Sequence, residues 1–145
     1  MTPAYAFTLE LPQPLAAAID TLRAALTAEQ MGIVSEVDVQ ATLKAKLGLD
    51  SHPQKLLGIC SPKVAHAILS AEPDLGAMLP CGCSVSESKP GVTRIALQDP
   101  AVIAAATDHP DVHAACEVAS AALQRVVARL AKPTGGTAEL AASGT

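Results

Sequence analysis

Two cysteines one residue apart, Cys81 and Cys83, stand in the short apolar segment LPCGCSV. In a β-strand alternate side chains share a face, so both thiols are expected to point the same way, about 6 to 7 Å apart along the strand. That spacing is too long for an easy disulfide. It suits two thiolates on one soft ion, because thiolates prefer copper(I), zinc or iron–sulfur clusters to hard cations. The pair therefore predicts a site for soft metal or sulfur.

A third cysteine, Cys60, comes directly before Ser61-Pro62, a typical helix start with Ser as the cap and Pro at the first helical position. Unpaired N–H groups and the dipole at a helix start stabilise an anion, which favours the reactive thiolate. Cys60 and Cys81 are therefore the predicted ligand-binding pair, and Cys60, Cys81 and Cys83 are the predicted metal ligands. Cys116 falls on the apolar stripe of the last helix, and we expect it to be buried away from this site.

These thiols leave three kinds of function open. The first is a small-ligand-binding domain whose ligand is a soft metal ion, copper(I) or zinc, or a sulfur species. The second is a thiol redox or sulfur-transfer protein in which Cys60 is the reactive thiol and Cys81 resolves the product. The third is an interaction module with inert cysteines, since cysteine is often just a small buried side chain. The sequence has no Gly-x-Ser-x-Gly, no phosphate-binding glycine loop and no Cys-x-x-Cys pair, so no catalytic residue is predicted.

The composition limits the number of domains and the kinds of partner that the chain is expected to have. The 145 residues suit a single domain, and Tyr5 and Phe7 are the only aromatic residues in a chain that is 50% apolar. The net charge of −4 is spread along the chain, which argues against nucleic acid and anionic membrane surfaces as partners. Neither a signal peptide nor a membrane span is predicted, so a cytoplasmic protein with reduced thiols is expected.

Periodicity and turn residues predict the elements that position the cysteines. Apolar and polar residues alternate in the predicted strands, and the predicted helices repeat apolar residues at helical spacing. The predicted order is strand 4–11, helix 14–31, strand 32–39, a short helix ending at Gly48, strand 55–60, a helix after Ser61, a hairpin around SESKPG, and a long helix 110–130. Strands joined by short turns predict an α+β fold with an antiparallel sheet and helices on one face. Residues 1–131 are the predicted domain and 132–145 a disordered tail.

The middle of the chain, "LKAKLGLD…KLLGICSPKVAHAILSAEPDLGAMLPC", resembles a bacterial and archaeal family, the domain of unknown function numbered 302, over about residues 4–131. The matching positions are Leu57, Gly58, Cys60, Pro62, Glu72, Pro73, Gly76, Leu79, Pro80 and Cys81. The resemblance implies a β-α-β(4)-α fold in a TBP-like, helix-swapped arrangement and a homodimer, but no chemistry. Cys83 departs from the pattern, which has an ordinary apolar residue at that position.

Overall fold

The computed structural model describes residues 3–131. Their strands are β1 (Ala6–Leu11), β2 (Gly32–Asp38), β3 (Gln54–Cys60), β4 (Cys81–Lys89) and β5 (Val92–Gln98). Their helices are α1 (Leu15–Thr27), α2 (Val39–Leu47), α3 (Pro62–Ala71), α4 (Ala101–Ala104) and α5 (Pro110–Ala131), with a 3-10 helix at Pro73–Met78. The predicted order of elements is confirmed, and the predicted tail lies outside the described residues.

The five strands form one sheet in the order β1-β5-β4-β3-β2, and every neighbouring pair is antiparallel. The chain is an α+β protein, as the sequence predicts. Strands β3 and β4 pair with Ile59 opposite Cys81 and Leu57 opposite Cys83. This register brings the end of β3, where Cys60 lies, beside the start of β4.

Helices α1 and α5 pack on one face of the sheet, as predicted, and enclose what we call the main core. Its side chains come from α1, α5 and alternate positions of the four strands β1, β3, β4 and β5, because alternate strand residues point to the same face. Its largest fully buried members are Leu22, Leu26, Val85, Ile95, Leu97 and Val126. On the opposite face, apolar side chains such as Leu56 and Val37 stay exposed.

A smaller second core lies beside the main core, between α3, the 3-10 helix, α4 and the first half of α5. Its buried members are Ile68, Leu75, Ile103, Val112, Ala115 and Cys116, and Cys81 and Leu79 pack against them. Residues 105–109 separate α4 from α5, and both helices contribute to this core. Within residues 3–131, no helix is both long and apolar enough to cross a membrane.

Local sequence signals account for several of the element ends. The carboxylate of Asp38 accepts a hydrogen bond from the Ala41 N–H at 2.9 Å and so caps α2, as expected of Asp at this position. Gly48 ends α2 with a φ of +67°, a backbone conformation that costs glycine little. Ser61 stands at the cap of α3 as predicted, but its hydroxyl makes no capping hydrogen bond.

Candidate functional site

Close packing between Gly58 and Pro80 joins the Leu-Gly-x-Cys segment to the Leu-Pro-Cys segment. A Cβ atom on Gly58 would lie 2.6 Å from Cγ of Pro80 and would overlap the hydroxyl oxygen of Ser35. Only a residue without a side chain lets the proline ring come this close. Gly82, which pairs directly with Gly58, has nothing within 4 Å of the same position. The contact therefore explains why glycine stands at 58, and it fixes Cys60 and Cys81 at adjacent strand ends.

Cys60 and Cys81 line one cavity of about 40 Å³, next to the start of α3. Both cysteines are half-buried, and no disulfide joins them. The other lining residues are apolar except Ser61, and they include Met31, Ile59, Val64, Leu79 and Leu123. One water molecule needs roughly 10–15 Å³ of such space, so the cavity has room for a ligand of very few atoms. The structure therefore brings the predicted ligand-binding pair to one small apolar cavity.

Cys83 points to the same face of the sheet as Cys81 but lies among different neighbours. It pairs with Leu57 on β3 and with Leu97 on β5, and it packs inside the main core. Its side chain is 3% exposed, and it is not among the residues that line the cavity. Between residues 3 and 131 no group of three or more His, Cys, Asp or Glu side chains is arranged to hold a metal ion. The metal-ligand role of Cys60, Cys81 and Cys83 stays a prediction.

Cys116 is the fourth cysteine of the described residues. It is 2% exposed, which confirms the predicted burial, but it lies in the second core against which Cys81 packs. Cys116 is not among the residues that line the cavity. The first half of α5 packs against α3 and α4 in this core, a tertiary arrangement that the apolar stripe alone does not reveal.

Burial keeps the interior thiols protonated at neutral pH. It raises the pKa of the Cys81 thiol to about 11, and the nearby thiols of Cys116 and Cys60 raise it further. Burial also raises the pKa of Cys83 to about 12. The pKa of Cys116 is raised mainly by burial, against a lowering contribution from the Ala104 N–H, which favours the thiolate. A ligand that binds Cys81 as a thiolate must therefore displace its proton.

The comparisons with known proteins identify the family. The family model described as domain of unknown function DUF302 matches residues 7–130. The chain belongs to the DUF302 family. A crystal structure of an uncharacterized conserved DUF302 protein from Bacillus stearothermophilus has a TM-score of 0.72 and 27% sequence identity, with 88% of this chain and 97% of that chain covered. No curated protein matches the chain. The resemblance inferred from the Leu-Gly-x-Cys and Leu-Pro-Cys segments is thus confirmed.

Proposed function

We propose that this DUF302 protein binds a small, soft ligand between Cys60 and Cys81: a soft metal ion, copper(I) or zinc, or a sulfur atom carried as a persulfide. The observation that carries the proposal is that both thiols line one small apolar cavity. Thiolates are the ligands that soft ions prefer. The lining offers hardly any oxygen atom to a hard cation, and the cavity volume of about 40 Å³ excludes most organic ligands.

The protonation state of Cys81 gives the proposed binding a definite pH dependence. Because its pKa is raised to about 11, Cys81 carries its proton at neutral pH, and a metal ion must displace that proton to form a bond. Affinity for a thiolate-bound metal is therefore expected to rise by about tenfold per pH unit for this one proton. The rise should stop near the pKa of Cys81. Titration of the reduced protein with copper(I) between pH 6 and 9 measures this slope.

The same cavity supports a second candidate function, thiol redox or sulfur transfer. Cys60 would carry the reactive sulfur and Cys81 would resolve it, because the two thiols share the cavity and no disulfide occupies them. A third candidate, an interaction module with inert cysteines, predicts that neither metal nor sulfur binds. The three candidates differ in what the reduced protein retains.

The experiment is loading of the reduced protein under anaerobic conditions, followed by analysis of what stays bound. Copper(I), zinc and inorganic polysulfide are supplied separately. Retained metal is measured by elemental analysis, and persulfide sulfur by its release to cyanide. We expect about one equivalent per chain in the unaltered protein and a loss in Cys60→Ser and Cys81→Ser. Cys83→Ser is the matched control, since Cys83 lies in the same strand but outside the cavity.

Each result separates the candidates. Metal retention that needs both Cys60 and Cys81 supports the ligand-binding function. Persulfide retained on Cys60 alone, with no metal, supports sulfur transfer. Equal loading of all variants, or loss in Cys83→Ser only, contradicts the assignment of the cavity. If the protein retains neither metal nor sulfur, the interaction module with inert cysteines is the candidate that remains.

The proposal includes a cytoplasmic homodimer. The four cysteines of the described residues are all free thiols, which fits a reducing compartment. The exposed face of the sheet carries Tyr5, Val37 and Leu56, which are 65%, 50% and 45% exposed and available for contact with a second chain. Light scattering over a range of protein concentrations measures the mass, and a monomer at all concentrations contradicts the dimer.

A further inference from the structure

Three sulfur-containing side chains come from the same end of three neighbouring strands. Cys60 is the last residue of β3, Cys81 is the first residue of β4, and Met31 immediately precedes Gly32, the first residue of β2. The strands pair with Gly32 opposite Cys60 and with Ile59 opposite Cys81. Because neighbouring strands lie only about 4.8 Å apart, this register brings the three residues together at one end of the sheet.

The turn between α1 and β2 holds Met31 in a buried position. The Met31 N–H donates to the Leu26 carbonyl at 3.0 Å, and the Gln30 N–H donates to the Thr27 carbonyl at 3.0 Å, which are the two hydrogen bonds of a Schellman motif. Gln30 has a φ of +59°, the left-handed conformation that glycine usually supplies in this motif. The residue after the left-handed position packs back against its helix, and Met31 is 7% exposed. The turn therefore fixes where the thioether enters the protein.

The side chains of Met31, Cys60 and Cys81 all line the same small cavity. Among the described residues around it, Ser61 is the one other polar side chain, and no His, Asp or Glu is present. Thiolate and thioether sulfur together are ligands that select copper(I). Zinc is bound by cysteine, histidine and carboxylate groups, usually four of them. The donor set of the cavity therefore favours copper(I) over zinc.

We propose that Met31 is the third ligand of this site and that its ion is copper(I), held by one thioether and two thiolates. The proposal rests on the proposed function, because it takes Cys60 and Cys81 as the pair that binds the ligand. It goes further by choosing one ion and by making the third ligand Met31 rather than Cys83, which does not line the cavity. Binding transfers no electron, and each thiol that becomes a thiolate releases one proton.

The test is a titration of the reduced full chain with copper(I) under anaerobic conditions, in competition with the chromophoric chelator bicinchoninate. Met31→Leu keeps the apolar character and approximate volume of the side chain, an exchange that protein cores tolerate well. We expect this variant to bind copper(I) at least about tenfold more weakly, because the loss of even an indirect partner of a metal costs roughly 10–100-fold in affinity. Its zinc affinity should change by less than about twofold, since zinc does not use the thioether.

Met78→Leu is the matched control. Met78 is partly buried against the second core and does not line the cavity, so this variant should bind both ions as the unaltered protein does. Circular dichroism verifies that each variant is folded.

X-ray absorption gives a direct readout of the proposed bond. In protein grown with selenomethionine, selenium replaces sulfur at Met1, Met31 and Met78. We expect the selenium edge to show a copper neighbour in the unaltered protein and in Met78→Leu, and none in Met31→Leu. If Met31 only packs against the cavity, no bond joins selenium to copper, and none of the three proteins will show this neighbour.

Three results overturn the inference and leave the proposed function standing. If copper(I) binding requires Cys60 and Cys81 but is as tight in Met31→Leu as in the unaltered protein, Met31 is not a ligand. If Met31→Leu loses affinity for copper(I) and zinc alike and selenium has no copper neighbour, Met31 supports the shape of the cavity. If the protein retains persulfide and no metal, the site serves sulfur chemistry. Failure of the proposed function is distinct, because the unaltered protein then retains neither metal nor sulfur.

Discussion

The two cores of the molecule differ in what they contain and in where they leave space. The main core, between the sheet and the helices α1 and α5, is built mainly from Leu, Ile, Ala and Val and holds Cys83 as one more small apolar side chain. The second core is smaller and includes Cys116, and Cys81 packs against it. Residues two positions apart on β4 thus belong to different packing units.

The cavity lies at the boundary between these cores. Met31, Ile59 and Leu123 of the main core line one part of it, and Leu79 and Cys81, which pack on the second core, line another. Each core is close-packed within itself, as protein interiors are, so space for a ligand remains where two packing units meet. The Cys-x-Cys spacing therefore does not determine which thiols line the cavity, whereas the boundary between the two cores does.

The largest expected effect comes from removing a buried isoleucine from each core. Ile68→Ala in the second core and Ile95→Ala in the main core remove side chains that are 1% and 0% exposed. Each variant should lose about 2–5 kcal/mol of unfolding free energy through lost burial and the cavity left behind. The difference lies in which thiol becomes accessible: Ile68→Ala should speed native-state alkylation of Cys116, and Ile95→Ala that of Cys83.

Denaturant unfolding measures the free energies, and alkylation followed by peptide mapping measures the thiols. The main-core variant is the matched control for the second-core variant, since residue type and burial are the same. If alkylation of Cys83 and Cys116 is accelerated equally in both variants, the two cores open as one unit. That result would contradict the distinction between the main core and the second core.

A smaller effect is expected where β3 meets β4. Gly58→Ala places a Cβ against the Pro80 ring and the Ser35 hydroxyl. This overpacking should lower the free energy of unfolding by about 1–3 kcal/mol. It should also shift Cys60 and Cys81 relative to each other. Gly82→Ala is the matched control: it changes the paired residue, has open space around the new Cβ, and should stay within about 0.5 kcal/mol.

Chemical denaturation and the alkylation rate of Cys60 report the two parts of this prediction. Gly58→Ala should change both, and Gly82→Ala neither. If the two alanine variants behave alike, the contact between Gly58 and Pro80 does not hold the cavity together.

The smallest effect is expected at Glu87, at the hairpin end of β4. Its carboxylate accepts hydrogen bonds from the Gly91 N–H at 3.0 Å and from the Leu15 N–H at 2.7 Å. Leu15 is the first residue of α1, so the second bond satisfies a free N–H group at the start of that helix. These two bonds hold the pKa of Glu87 below its ordinary value of 4.5. The stabilisation is therefore fully present above pH 4.5 and is lost as the pH falls through the lower pKa of the folded state.

Glu87→Gln removes the charge and should make unfolding below pH 4.5 less dependent on pH, with little change in Cys60 alkylation. Acid titration followed by circular dichroism measures the dependence. Glu117→Gln removes the same charge from an exposed position on α5 and serves as the control. An unchanged acid transition in Glu87→Gln would mean that the carboxylate does not stabilise the helix start.

Local patterns were enough to predict the elements and the fold class. Alternation identified the strands, Gly48 marked the end of α2, and Ser61-Pro62 marked the start of α3. The Leu-Gly-x-Cys and Leu-Pro-Cys segments carried the family and put Cys60 and Cys81 together at the cavity. These predictions succeed because caps, turns and side-chain alternation depend on residues close together in the chain.

The partners of each thiol were decided by tertiary structure. Alternation correctly gives Cys81 and Cys83 a common face, but it does not say that the packing changes from one core to the other between them. Nor does the apolar stripe of α5 show that Cys116 belongs to the second core, because that depends on how α5 packs against α3 and α4. Sequence spacing fixes the direction of a side chain within its own element; contacts between elements distant in sequence fix its neighbours, and the neighbours set burial and pKa.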